Sequence, residues 1–263
     1  MLVVTMVGGL FLAFALSGPG GDLSGTWVAT PLQLFVLFLL AALTIRLLRG
    51  RAYAPSDLGL VVPQRAPHWA YAVLVAAAFA GLSNLGVQFI PQLREATERS
   101  LELMPFGVSL AQDIGFVLAL TVAAPLGEEL LYRGVIFRGV HDGIARRRPQ
   151  SRRLAFWVAA IVSAVLFGIS HAGEGQELQL PFLILFGLGA AWLYWWTGSL
   201  FAPVLAHSIA NGVTAFHAVS GDRSFSSPLV GVVVVLGPVL ALGILWLVGR
   251  LLGGRRSGAR RAG

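Results

Sequence analysis

Eight apolar runs follow one another along the chain, at about 2–17, 28–48, 69–90, 114–136, 155–171, 180–197, 200–219 and 229–251. Each is close to the roughly 17–25 residues that cross the hydrocarbon core of a bilayer as a helix. With 56% hydrophobic and 12% charged residues, the 263-residue chain is too apolar for a water-soluble domain. Backbone exposed to lipid has to satisfy its own hydrogen bonds, and the unbroken runs lack the alternation of a barrel strand. The expected fold is therefore all-α: a polytopic transmembrane helical bundle of about eight spans. Residues 1–252 are read as one transmembrane domain and 253–263 as a basic, disordered cytoplasmic tail.

Charge sets the expected orientation. All 19 basic residues are Arg, giving a net charge of +7, and they gather between spans. Arg46, Arg49, Arg51 and Arg65 lie between the second and third spans; Arg138, Arg146, Arg147, Arg148, Arg152 and Arg153 lie between the fourth and fifth. Both connections are expected to be cytoplasmic, as is the tail with Arg255, Arg256, Arg260 and Arg261, which places both termini inside. The segment from Pro91 to Pro105 is placed outside as a loop, although it holds Arg94 and Arg99 among Glu95, Glu98 and Glu102. The first run lacks a basic start and a good cleavage signal, so it reads as a span rather than a leader. Such clustering is topology rather than a nucleic-acid patch, and the lipid bilayer is the main partner. The absence of Lys, with Ala, Gly, Arg and Val in excess, suggests a GC-rich bacterial genome and a bacterial cytoplasmic membrane. No cysteine is present, which excludes thiolate catalysis, thiolate metal sites and disulfides.

Three short segments carry groups that an apolar helix does not tolerate without reason. In Pro125-Leu126-Gly127-Glu128-Glu129-Leu130-Leu131-Tyr132-Arg133 two carboxylates lie inside a span and have to face protein or trapped water. Adjacent helical residues project about 100° apart, so the two are expected in different environments. Glu129 and Arg133, four apart, make a natural ion pair, which leaves Glu128 as the freer carboxylate and the candidate general base. Pro125, one turn earlier, is a place for a kink and a freed carbonyl. Phe167-Gly168-Ile169-Ser170-His171 ends the fifth span, with Phe167 and His171 on one face. His207-Ser208-Ile209-Ala210-Asn211 in the seventh sets an imidazole and an amide on one face. Each segment alone could be interhelical glue; three together in an apolar bundle point to a site. His68, His141, His217, Gln112 and Asp113 are read as solvated or interfacial. Trp192, Tyr194, Trp195 and Trp196 are read as an aromatic belt.

Glu128-Glu129-x-x-x-Arg133, Phe167-x-x-x-His171 and His207-x-x-x-Asn211 resemble the three ordered motifs of the CPBP intramembrane proteases, which include the type II CAAX prenyl endopeptidases and the Abi-like bacterial proteins. The resemblance covers about residues 110–220, and Asp57-Leu58-Gly59-Leu60 resembles a segment often found upstream in them. It implies hydrolysis of a peptide bond in a membrane-associated peptide or protein, with Glu128 and His171 activating water and His207 and Asn211 stabilising the oxyanion. Glu129, Arg133 and Phe167 would support them. The family is often called metalloprotease, and His171, His207 and Glu128 would suit Zn²⁺ with an open position for water. Without a His-Glu-x-x-His helix, a metal-free glutamate mechanism is the preferred reading.

One tension concerns depth: on these limits Glu128 and His207 lie roughly 12–18 Å from the cytoplasmic edge and His171 nearer about 22 Å. Two other classes compete. A proton-coupled carrier also uses intramembrane Glu and His, but no internal repeat or pair of broken helices is visible. A non-catalytic immunity or scaffold protein would use the polar groups only for packing.

Overall fold

The computed structural model describes residues 55–254, apart from 103, 105, 108, 172–176 and 220–224. The spans expected at 2–17 and 28–48, and the tail beyond 254, lie outside the described residues. Those residues form an all-helical bundle: α1 (Ala66–Phe89), α2 (Pro91–Glu102), α3 (Leu110–Arg147), α4 (Arg152–Ile169), α5 (Leu180–Thr197), α6 (Phe201–Ala218) and α7 (Pro228–Gly254). Short 3-10 turns occupy Pro55–Leu58 and Glu177–Gln179.

Among the described residues five segments are long and apolar enough to cross a membrane: Ala66–Phe89, Leu110–Arg147, Arg152–Ile169, Glu177–Thr197 and Pro228–Leu251. The expected span at 200–219 is present as α6 but is not among the five. It carries His207, Ser208, Asn211 and His217, and packs against α1, α3, α5 and α7. A helix wrapped by others meets little lipid, so polar residues that would be costly on an outer helix are tolerated there.

Small residues bring α4 and α5 together. Ala155, Ala159, Ala160 and Ala164 are fully buried on α4, and a Cβ added to Gly187 of α5 would stand 2.9 Å from Ala164 Cα. In lipid, where apolar surface alone gives helices no reason to associate, such close backbone approach supplies the dispersion contacts that hold them.

The turn from α5 into α6 is equally fixed. Gly198 takes φ +64, a left-handed cap that L-residues avoid, and its N–H donates to Tyr194 O at 2.8 Å. Ser199 Oγ donates to Val61 O at 2.6 Å and Leu200 N to Gly59 O at 2.8 Å. The Asp57-Leu58-Gly59-Leu60 segment thus latches the start of α6.

Several expectations are corrected. The segment after Pro91 is not a loop but the helix α2, in which Leu93 alone is buried. Asp113 is not interfacial: it is fully buried and accepts from Gly107 N at 3.0 Å and Ser226 N at 2.8 Å, tying the entry of α3 to that of α7. Tyr194 is not part of an exposed belt but lies in the core, where its hydroxyl accepts from Arg138. Trp195 and Trp196 are exposed as a belt requires. Residues 253 and 254, expected in the tail, continue α7.

Candidate active site

The helix that carries the two carboxylates is not a regular α-helix. Within α3, π-helical stretches at Ala119–Ala123 and Leu130–Phe137 flank the α-helical turn Ala124–Glu129. A π stretch widens the helix and shifts the faces on either side, and such stretches concentrate at functional sites. Pro125 contributes, because it has no N–H to return to the preceding turn. Ser163 Oγ of α4 donates to Tyr132 O at 2.8 Å and holds the second π stretch against its neighbour.

Glu129 and Arg133 form the expected ion pair, Nη1 to Oε1 at 2.8 Å, and both are fully buried. The guanidinium also donates through Nη2 to Gly187 O at 3.1 Å and lies 4.9 Å from the centre of the Phe167 ring. Glu129 does more than neutralise it. Its Oε1 also accepts from His207 Nδ1 at 2.9 Å. The sequence signal for this second bond was absent, since residues 129 and 207 are linked only by the packing of α6 on α3.

Glu128 points to the other edge of the same imidazole. Its Oε2 stands 3.8 Å from His207 Nε2 and 3.9 Å from His171 Nε2. The two carboxylates have the separate environments expected of them: Glu129 is bonded to Arg133 and to His207 Nδ1, whereas Glu128 faces the opposite nitrogen of that ring.

His171 lies two residues beyond the end of α4 and is held by backbone. Its Nδ1 donates to Phe167 O at 2.9 Å, an assignment fixed because a carbonyl only accepts. Nε2 is then the ring nitrogen turned toward Glu128. The Phe167 ring packs beside it at 4.9 Å between centroids, and reaches His207 at 5.6 Å. Phe167 therefore contacts both imidazoles and the Arg133 guanidinium. The depth tension does not prevent assembly: α4 begins at Arg152, three residues before the expected limit, and the imidazoles of α4 and α6 both come within 4 Å of Glu128.

Asn211 is placed differently from the two histidines. Its Nδ2 donates to Leu120 O at 2.8 Å, a carbonyl of the first π stretch. Ser208, passed over in the sequence, donates to the neighbouring Thr121 O. His68 contacts Trp196, and His141 contacts Asp142, away from this cluster.

Glu128 Oε2 is buried and without a hydrogen-bond partner, which marks the space between it and the two Nε2 atoms. A water at about 2.8 Å from each atom fits separations of 3.8–3.9 Å. Zinc fits less well: bonds of about 2.0–2.1 Å in a tetrahedral site put ligand atoms roughly 3.3 Å apart. Among the described residues no group of three His, Cys, Asp or Glu has the geometry of a metal site.

The family described as type II CAAX prenyl endopeptidase Rce1-like matches residues 109–213, which include all seven residues of the three motifs. The chain is 27% identical over 187 residues to the membrane-embedded CAAX protease MroQ of Staphylococcus aureus (strain USA300), covering 67% of this chain and 69% of that protein. It is 28% identical over 98 residues to the putative membrane peptidase YdiL of Bacillus subtilis (strain 168), covering 36% of this chain and 34% of that protein. No solved structure matches the chain.

Proposed function

The chain belongs to the Rce1-like type II CAAX prenyl endopeptidase (CPBP) family of membrane peptidases, and from that premise we propose that it hydrolyses a peptide bond of a membrane-associated peptide or protein with a water activated by Glu128 and His171. The observation that carries this reading is the unpartnered Glu128 Oε2 facing two imidazole Nε2 atoms whose Nδ1 atoms are already engaged.

Water in that space donates one hydrogen to Glu128 and the other to Nε2 of His171 in its neutral form. Glu128 takes the first proton as hydroxide adds to the substrate carbonyl carbon, and later returns it to the amine nitrogen as the C–N bond breaks. The products are a carboxylic acid and an amine. His207, bearing a proton on Nε2, donates to the tetrahedral oxyanion while Glu129 faces the charge from the Nδ1 side. Asn211 has two amide hydrogens, and the one not given to Leu120 O is the second donor. Were zinc bound, the same three side chains would hold it and it would polarise the carbonyl; no step above requires it.

The reading extends to eight spans in one domain, 1–252, with both termini on the cytoplasmic side of a bacterial membrane. The preferred substrate is a small membrane peptide or bacteriocin-like precursor, since a bacterium lacks farnesylated CAAX proteins of its own.

The test uses purified protein in detergent and a membrane-peptide library, with wild type compared to Glu128→Gln and His207→Ala. Cleavage lost in both variants supports the peptidase. A wild type that cleaves nothing, or soluble peptides alone, counts against it.

A further inference from the structure

Two side chains of α6 besides His207 reach across to α3, and both end on backbone carbonyls. Asn211 donates to Leu120 O and Ser208 to Thr121 O. Pro125 accounts for one of these two open carbonyls, because one missing N–H costs one bond, and the change from π to α register after Ala123 leaves the other. In α-helical register the N–H of residue 125 would serve the carbonyl of residue 121; in the π register of Ala119–Ala123 it would serve that of residue 120. Proline has no N–H, so neither bond forms. A carbonyl inside a bundle without a partner is expensive, and hydroxyls of neighbouring helices are a known remedy within membranes.

We propose that Ser208 is a positioning residue matched to Pro125, whose bond to the freed Thr121 carbonyl sets the place of His207 relative to Glu128. The proposal rests on the peptidase reading above. Ser208 is fully buried and adjoins His207, while Glu128 lies three residues beyond Pro125. One bond therefore ties the two helices beside His207 and about two turns ahead of Glu128. The carbonyl end cannot drift. Thr121 is fully buried, its Oγ1 donates to Val117 O at 2.7 Å, and Gly237 of α7 packs so tightly against it that a Cβ there would have no room. Glu129 fixes the rotation of the imidazole, whereas Ser208 fixes the position of the backbone that carries it.

A double-mutant cycle tests this with Ser208→Ala, Pro125→Ala and the pair, reading thermal midpoint, kcat and KM in detergent. Ser208→Ala is expected to lower kcat about 100-fold, as small displacements of reacting groups do, with KM within roughly threefold of wild type. Its midpoint should fall by roughly 5 °C because the Thr121 carbonyl loses its donor. Adding Pro125→Ala returns a backbone N–H, so the pair should regain much of the midpoint while kcat stays low. That separation of stability from turnover supports positioning; kcat recovering with the midpoint would overturn it. Strictly additive midpoints would overturn the clamp itself. A wild type without cleavage would overturn the peptidase reading, and the positioning role with it, while the midpoints still judge the clamp.

Discussion

His207 Nδ1 and Glu129 Oε1 stand 2.9 Å apart, on the side of the imidazole away from Glu128. Because Oε1 also holds Arg133, the same atom neutralises a buried cation and sets the rotation of a site residue. Glu129→Ala should therefore do two kinds of damage. It leaves Arg133 buried and uncompensated, a loss of about 3–5 kcal/mol, and frees the ring of His207. Loss of the folded, monodisperse protein on detergent chromatography is the expected outcome, with Glu129→Gln milder because its carbonyl keeps one acceptor. An Ala variant as stable as wild type would show that the pair contributes little.

Glu128 has no comparable structural partner. Glu128→Gln should leave the thermal midpoint within a few degrees of wild type and reduce turnover by roughly 100- to 10,000-fold, the usual contribution of a general base. Turnover measured under single-turnover conditions, beside a melting curve of the same preparation, checks both halves.

Asn211→Ala removes a proposed oxyanion donor and the partner of the Leu120 carbonyl together. The expected loss is roughly 100- to 1,000-fold in kcat with little change in KM. A KM effect of the same size would instead place Asn211 in substrate binding.

Gly187 joins two functions of the fold, since its carbonyl accepts from Arg133 and its Cα lies against Ala164. Gly187→Ala should force α4 from α5 and destabilise by about 1–3 kcal/mol. Because α4 carries Phe167 and His171, activity should fall further than the melting curve alone accounts for.

Metal removal is the fifth check. With donor atoms 3.8–3.9 Å apart, a water fits better than zinc. Prolonged dialysis against a strong chelator is expected to leave turnover unchanged; loss of activity restored by Zn²⁺ would assign His171, His207 and Glu128 as ligands.

Much of this was legible in the chain because desolvation is severe in lipid: Glu128, Glu129, Arg133, His207 and Asn211 stand out against apolar neighbours. The i,i+4 spacing was enough to pair Glu129 with Arg133. What local spacing could not carry was the second bond of Glu129, which depends on how α6 seats on α3. Nor does an apolar run announce the π stretches at Ala119–Ala123 and Leu130–Phe137. Ser208 escaped notice because a lone serine in a transmembrane helix is unremarkable until its carbonyl partner is known. Asp113 misled for a related reason, since a carboxylate near a span end resembles a solvated one until the strands of chain that cover it are placed.

The pairing of Arg133 with Glu129 lies within one helical turn, and this bears on how the protein is made. A cation that had to wait for a different helix would enter the bilayer bare. Here the segment carries the counter-ion of its own guanidinium, so Arg133 does not depend on another helix for its charge partner. The cation–Phe167 contact and the bond to Gly187, made by residues of α4 and α5, therefore add to a charge pair that α3 supplies by itself.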